Sequence, residues 1–396
     1  MRRRRTGVPV YKPDIYSVDA IVDPYPHYQR LRDLGPVVWL PKHKVYALPR
    51  YAECKAVLRD DKTFLSGKGV ALNPISNRLS RGTTLNSDGI EHDQRRKLLA
   101  HRMLPRALRT IIDRVDATAA TVVEAALHKG EIDGVRDLAA ALPLGVVPDL
   151  IGWPRNERDH LIDWGGATFD VLGPLNWQGI KATPRALRML SFARRVVRER
   201  SFLDDSMAHE LMTAADQGKL SSAECPPLIV DYLAPSIDTT MSAISNALYL
   251  FACHPEQWQL LKDERARMGN AINEVIRYEP PLRAFARFVG QENEIDGVRI
   301  PSGSRVLVMY ASANRDEREW EEPDVFDIRR DAGRHIGFGQ GAHACAGQSL
   351  ARLEMTAMLN ALLERVDRIE VTGSPTWAVN NIIHRHEHLP LKLIPA

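Results

Sequence analysis

Between Phe338 and Gly347 the chain sets Cys345 among glycines and small residues. Phe338, Gly339, Gly341, His343, Cys345 and Gly347 fall within ten positions. Directly after them, Gln348 to Leu363 carries the apolar spacing of an amphipathic helix. A thiolate just ahead of a helix faces free backbone N–H groups and the positive end of the dipole, and both favour sulfur as an anion. The glycines let the backbone turn sharply and lie against a flat ligand, and Phe338 can cover that ligand and exclude water. An iron porphyrin held by an axial thiolate has these requirements. A cysteine alone is more often a buried apolar side chain, so the weight lies in the spacing.

Three further sets could do chemistry or serve it. Pro227 to Cys253 is the most hydrophobic long stretch, and its all-round apolar character predicts a buried helix. Asp238 and Thr239 lie inside it, costly unless they have partners or work. Pro235 removes one helix hydrogen bond there and predicts a kink. Glu274 and Arg277, three apart on another predicted helix, can pair on one face, a pairing worth little if exposed. His92 and Arg96 share one face of a basic helix opening at Asp88, which by itself reads first as a solvated face.

The stretch from Phe338 to Gly347 resembles the haem-ligand signature of the cytochrome P450 family, F-G-x-G-x-H-x-C-x-G. It departs at Ala346, where the family more often has a larger aliphatic residue. The other sets follow in that family's order, from about Tyr25 to Pro390. The resemblance implies haem b as cofactor, with Cys345 the axial ligand to iron and Phe338, Gly339 and Gly347 around it. It implies that His92 and Arg96 (with Glu91, an E-H-x-x-x-R pattern), Arg287 and His335 contact the haem propionates. Asp238-Thr239-Thr240 matches the family's acid–alcohol pair beside the dioxygen site, although Pro235 and Ser236 replace the usual Ala-Gly. Thr239 would then hydrogen-bond oxygen and Asp238 relay protons. Glu274 and Arg277 become the E-x-x-R of a buried network that holds the cysteine loop. Arg330 is assigned as its closing arginine, with Arg329 in reserve. Phe169, Leu172, Ser236, Leu282 and Phe285 are expected in the substrate pocket.

Helical patterns dominate the elements that must position these groups, so the expected fold is mainly α with a small β region. It is a single large P450 domain with haem between the long central helix and the cysteine loop. Val37 to Leu40 and Val45 to Leu48 read as a hairpin. Phe64 to Asn86, rich in Gly, Ser and Asn, reads as a long loop with at most a short helix. Helices between Arg106 and Arg200 are expected to break at Pro143, Pro148, Pro154, Pro174 and Pro184. Phe169 to Trp177 resembles the family's substrate-covering lid, and Asn380 to Pro390 its last hairpin. His384, His386 and His388 alternate and would share a face on a strand, yet no fourth zinc ligand is evident. Residues 1–24 are read as a basic tail and lead-in, and 25–396 as the catalytic domain.

A formal charge of +3 over 396 residues predicts no general affinity for nucleic acid or membrane. The four cysteines, Cys54, Cys225, Cys253 and Cys345, form no C-x-x-C pair, and a reducing compartment fits. No apolar run reaches a membrane span and no signal segment follows the start. The expectation is a cytoplasmic monomer, with Arg2 to Arg5 a solvated tail. The resemblance implies a monooxygenase acting on a small organic substrate, by hydroxylation or O-demethylation, with electrons from a separate ferredoxin. Similarity to the subgroup acting on aromatic acids and methoxyaromatics points to an aromatic substrate. Arg95, Arg102, Arg106 and Arg109 would offer the ferredoxin a basic patch, or be ordinary surface charge. A peroxide-using haem-thiolate enzyme and a non-enzymatic haem sensor are the competing readings.

Overall fold

The helix from Cys225 to Cys253 is the axis of the molecule. Prolines Pro226 and Pro227 open it, where backbone N–H groups have no helical acceptor anyway. A capping box between Ser221 and Glu224 fixes its entry. Most of its residues are buried, and three of its hydroxyls bond back along its own backbone: Thr239 donates to the Pro235 carbonyl at 2.7 Å, Ser242 to the Asp238 carbonyl at 2.6 Å and Ser245 to the Ser242 carbonyl at 3.0 Å. It runs through Pro235 without a break. This is a computed structural model, describing residues 7–396; the Arg2 to Arg5 run lies outside the described residues.

Around this axis pack the helices Ala141–Ile151, Leu161–Asp170, Trp177–Glu199, Met268–Tyr278 and Gln348–Arg365. Pro143 and Pro148 lie within the first of these and Pro184 within the third, whereas Pro154 and Pro174 fall in loops. Pro143 sits in the first turn, where a missing N–H is harmless. Packing against the central helix holds these two helices together past Pro148 and Pro184, so tertiary packing overrides the local preference.

The largest sheet of the small β region has five strands, β1 (Val38–Leu40), β2 (Val45–Leu48), β3 (Phe64–Leu65), β4 (Phe285–Val289) and β5 (Arg305–Val308), in the order β1-β2-β5-β4-β3. β1 and β2 form the expected hairpin, Trp39 opposite Tyr46. The long loop after β3 contains one short helix, Pro74–Leu79, capped by Asn73. The lead-in is part of the body: Tyr11, Ile15 and Tyr16 are buried with Tyr28, Leu31 and the sheet.

Helix Leu161–Asp170 and helix Trp177–Glu199 are joined by a short turn, and the turn is latched to the C-terminal loop. Asn381 N donates to Asp170 Oδ1 at 2.8 Å, Asn176 Nδ2 to Asn381 Oδ1 at 2.8 Å, and Gln178 Nε2 to the Val379 carbonyl at 2.6 Å. At Gly173 a Cβ would stand 2.4 Å from Asn381 Cβ, so only glycine permits this approach. The same loop is bonded to residues 281–283, through His384 N to Pro281 O at 2.8 Å and a bridge between Leu282 and Ile383.

Candidate active site

The cysteine loop is built by close backbone contact. Cys345 N donates to the Phe338 carbonyl at 2.8 Å and Gly339 N to the Ile336 carbonyl at 2.8 Å. Gly341 has φ of +73°, and a Cβ there would meet the Leu58 carbonyl at 2.4 Å, so this turn needs glycine twice over. Helix Gln348–Arg365 starts directly after Gly347, and the N–H groups of Gly347 and Gln348 point at the sulfur. Burial pushes the Cys345 thiol up, while those N–H groups and the Arg96 charge pull it down.

The loop is fixed from behind by the buried pair Glu274 and Arg277. Arg277 donates Nε to Glu274 Oε2 at 2.7 Å and Nη2 to Oε1 at 2.8 Å, and both side chains are fully buried. Its Nη1 donates to the carbonyls of Asn314 at 3.0 Å and Pro323 at 2.8 Å. Asn314 in turn accepts from Ile336 N at 2.9 Å on its side-chain oxygen, two residues before Phe338. A continuous hydrogen-bonded path therefore joins Glu274 to the cysteine loop. Arg330 Nε reaches Glu274 Oε1 at 3.3 Å, whereas Arg329 is exposed and paired with Asp327.

One cavity adjoins this loop. Its wall includes Cys345, Phe338, Gly339 and Gly347 from the loop, Ser236, Thr239 and Thr240 from the central helix, and Phe169, Leu282, Phe285 and Tyr310 from the lid and sheet. His92, Arg96, Arg287 and His343 supply basic groups to it. Arg96 also donates to the Ala342 carbonyl at 3.2 Å, and the His92 and His343 rings lie 4.3 Å apart. His92 is buried, and its Nε2 has no partner. A thiol under helix N–H groups, a largely apolar slot and convergent basic groups with an orphaned donor fit an iron porphyrin and its two propionates.

Three expected site residues do not reach the cavity wall. His335 is buried, tilted against Phe338 at 5.5 Å, with its Nδ1 accepting from Gly337 N at 3.1 Å. Burial, with the charges of Arg352 and Arg277, drives its pKa down to about 3, so it stays neutral, with its buried Nε2 left without a partner. His343 occupies the cavity instead, already marked in the sequence as part of the loop signature. Leu172 turns into the core with Phe64 and Val70. Asp238 is fully buried, facing Arg385, whose Nε lies 3.2 Å from Oδ1. That pair is close but misaligned for a hydrogen bond, and both carboxylate oxygens lack one. Burial raises the Asp238 pKa and Arg385 opposes the rise.

Arg385, Asn314 and Asp231 were not singled out in the sequence. Asp231 had a signal: it is a charge in an apolar helix, four residues ahead of Pro235. Of the alternating histidines, His384 and His386 share a face, both stacked on Trp377, at 4.1 Å and 4.0 Å; His384 also meets Glu279 at 3.1 Å, and His388 meets Asp133 at 2.9 Å. Among the described residues no group of side chains could hold a bare metal ion, and no helix is long and apolar enough to cross a membrane.

A mainly helical fold wrapped on a cysteine-lipped slot defines a haem-thiolate oxidoreductase, and the comparisons agree. The family model Cytochrome P450 matches residues 185–376. Cytochrome p450 CYP199A2 of Rhodopseudomonas palustris is 34% identical over 394 residues, covering 98% of this chain and 96% of that one. Cytochrome P450 monooxygenase PikC of Streptomyces venezuelae is 31% identical over 99% of this chain and 97% of its own. The solved structure of CYP109Q5 from Chondromyces apiculatus superposes with a TM-score of 0.82 at 28% identity, covering 97% and 99% of the two chains. The chain belongs to the cytochrome P450 family, whose cofactor is haem b, and it is a monooxygenase-type oxidoreductase.

Proposed function

We propose that this P450 inserts one atom of O2 into a small aromatic substrate, by hydroxylation or O-demethylation, using electrons from a separate ferredoxin-type protein. The observation that carries the reading is the placement of Cys345 and Thr239 on one cavity whose remaining wall is rich in apolar and aromatic side chains. Haem, when bound, supplies the oxygen activation. Cys345 would hold its iron through the sulfur, and His92, Arg96, Arg287 and His343 would hold its propionates. Phe169, Leu282 and Phe285 pack the substrate, and the latched lid excludes water. Thr239 holds its hydroxyl at the cavity wall on the Pro235 carbonyl. Asp238, one residue back and paired with Arg385, passes protons from the Arg385 and Glu387 side towards Thr239. Residues 25–396, with the buried lead-in packed on them, act as one catalytic unit, a monomer of the cytoplasm.

The electron donor docks beside the cysteine loop, where the segment around Arg106 packs on helix Gln348–Arg365. Arg95 is already paired with Glu91 and Glu224, and Arg102 with Asp205 and Glu210. Arg106 and Arg109 are exposed and carry the remaining attraction for an acidic partner. The test is turnover of methoxyarenes by the haem-loaded enzyme with a ferredoxin system, scored by formaldehyde release. Product with hydrogen peroxide but none with the ferredoxin system refutes the electron-transfer reading.

A further inference from the structure

We propose that Asp231 selects the polar end of the substrate: the cavity takes arenes whose head group donates a hydrogen bond, a phenol hydroxyl or an ammonium, and rejects carboxylates. This deepens the proposed function and rests on its assignment of this cavity to substrate. Asp231, Pro235 and Thr239 recur every four residues and all three line the cavity. Eight residues of helix rise about 12 Å. That span suits one para-substituted arene hydrogen-bonded at Asp231 with its other end beside Thr239.

The carboxylate is held in place by its neighbours. Its Oδ2 accepts from Thr84 N at 2.8 Å and Leu85 N at 3.3 Å, both in the long loop that closes this part of the cavity. The Tyr232 and Thr84 hydroxyls, on residues that also line the cavity, lie near each other and near the Asp231 carboxylate, but neither makes a well-aligned hydrogen bond. Buried hydroxyls left without a well-aligned partner are unusual, and these two lie where a substrate head group would reach them. Burial lifts the Asp231 pKa to about 6, which leaves it ionised at neutral pH. Arg95, the basic group nearest in influence, is engaged by Glu91 at 2.6 Å and Glu224 at 2.7 Å.

The cavity's basic groups do not offset this charge for a substrate. His92, Arg96, Arg287 and His343 are the groups assigned to the propionates, so in the loaded enzyme they are taken. An anionic head group at Asp231 would meet a like charge at low dielectric, whereas an O–H or N–H donor would gain a charge-assisted hydrogen bond.

The test uses iron-coordinating probes that place a head group in the cavity whatever the natural substrate. Binding of 4-(imidazol-1-yl)phenol and 4-(imidazol-1-yl)benzoate to the haem-loaded enzyme is titrated by the shift of the haem absorption band. The wild type is expected to bind the phenol at least about tenfold more tightly. Asp231→Asn keeps an acceptor for the two amides and should bring the ratio near unity, as should Asp231→Ser. Equal affinities in the wild type, or an unchanged ratio in a haem-loaded variant, would overturn the assignment. If the ratio behaves as expected while no methoxyarene is turned over, the aromatic-substrate reading fails and Asp231 stands.

Discussion

Replacing Glu274 or Arg277 should cost the protein its cysteine loop, and the two costs should differ in a way the geometry dictates. Glu274→Gln keeps one oxygen for Arg277 but leaves that guanidinium without a counter-charge at zero exposure, apart from three carbonyls that accept from it. Breaking a buried pair costs about 3–5 kcal/mol, and with those carbonyls still bonded this variant belongs at the lower end. Arg277→Met strands the Glu274 carboxylate with only Arg330 at 3.3 Å and the Asp327 amide at 3.1 Å. It also leaves the Asn314 and Pro323 carbonyls without that donor, at about 1–3 kcal/mol each if they stay unsatisfied. Asn314 then loosens its grip on Ile336, and with it the carbonyls that hold Gly339 and Cys345. Urea unfolding, read alongside the fraction of protein whose reduced CO complex shows thiolate ligation, measures both effects. Arg277→Met proving as stable as Glu274→Gln, or either variant retaining full thiolate-ligated haem, would refute the path from Glu274 to the loop.

The remaining expectations are simpler. Cys345→Ala should bind haem, if at all, without the thiolate spectrum. Thr239→Ala should keep haem and substrate binding while diverting reducing equivalents to peroxide; unchanged coupling of reductant to product would argue against its role. Gly173→Ala forces the lid away from Asn381, at about 1–3 kcal/mol for overpacking, and should speed ligand dissociation measured by stopped flow; an unaltered rate contradicts the latch. Burial raises Asp170 to about 6 in the folded protein. The native state thus holds its proton more tightly than the unfolded chain, so stability falls as pH rises from about 4 to about 6 and then levels. That single carboxylate accounts for up to about 3 kcal/mol, so the stability of Asp170→Asn relative to wild type should improve across that window, and a difference independent of pH would exclude the effect.

Much of this could be read from residue order. The Phe338–Gly347 spacing pointed to the family through its resemblance to the haem-ligand signature, and the family's cofactor is haem b. The central helix was legible because a helix buried on all sides must be apolar on all sides. The Glu274 and Arg277 spacing suggested a pair, but only the fold shows it fully buried and led through Asn314 to the loop.

What the chain order left open depended on contacts between distant segments. A sequence cannot show that His335 turns behind Phe338 while His343 faces the cavity, since both sit near the same loop and differ only in which way the backbone carries them. It cannot show that Arg385 meets Asp238 across about 150 residues, or that Arg95 and Arg102 are already neutralised by acids from other elements. Residue types and spacing pointed to the cofactor and marked Cys345 as its candidate ligand, because that chemistry is local. Burial and long-range pairing decided which charges remain free to act, Asp231 among them, because a group's charge state and reach are properties of its surroundings.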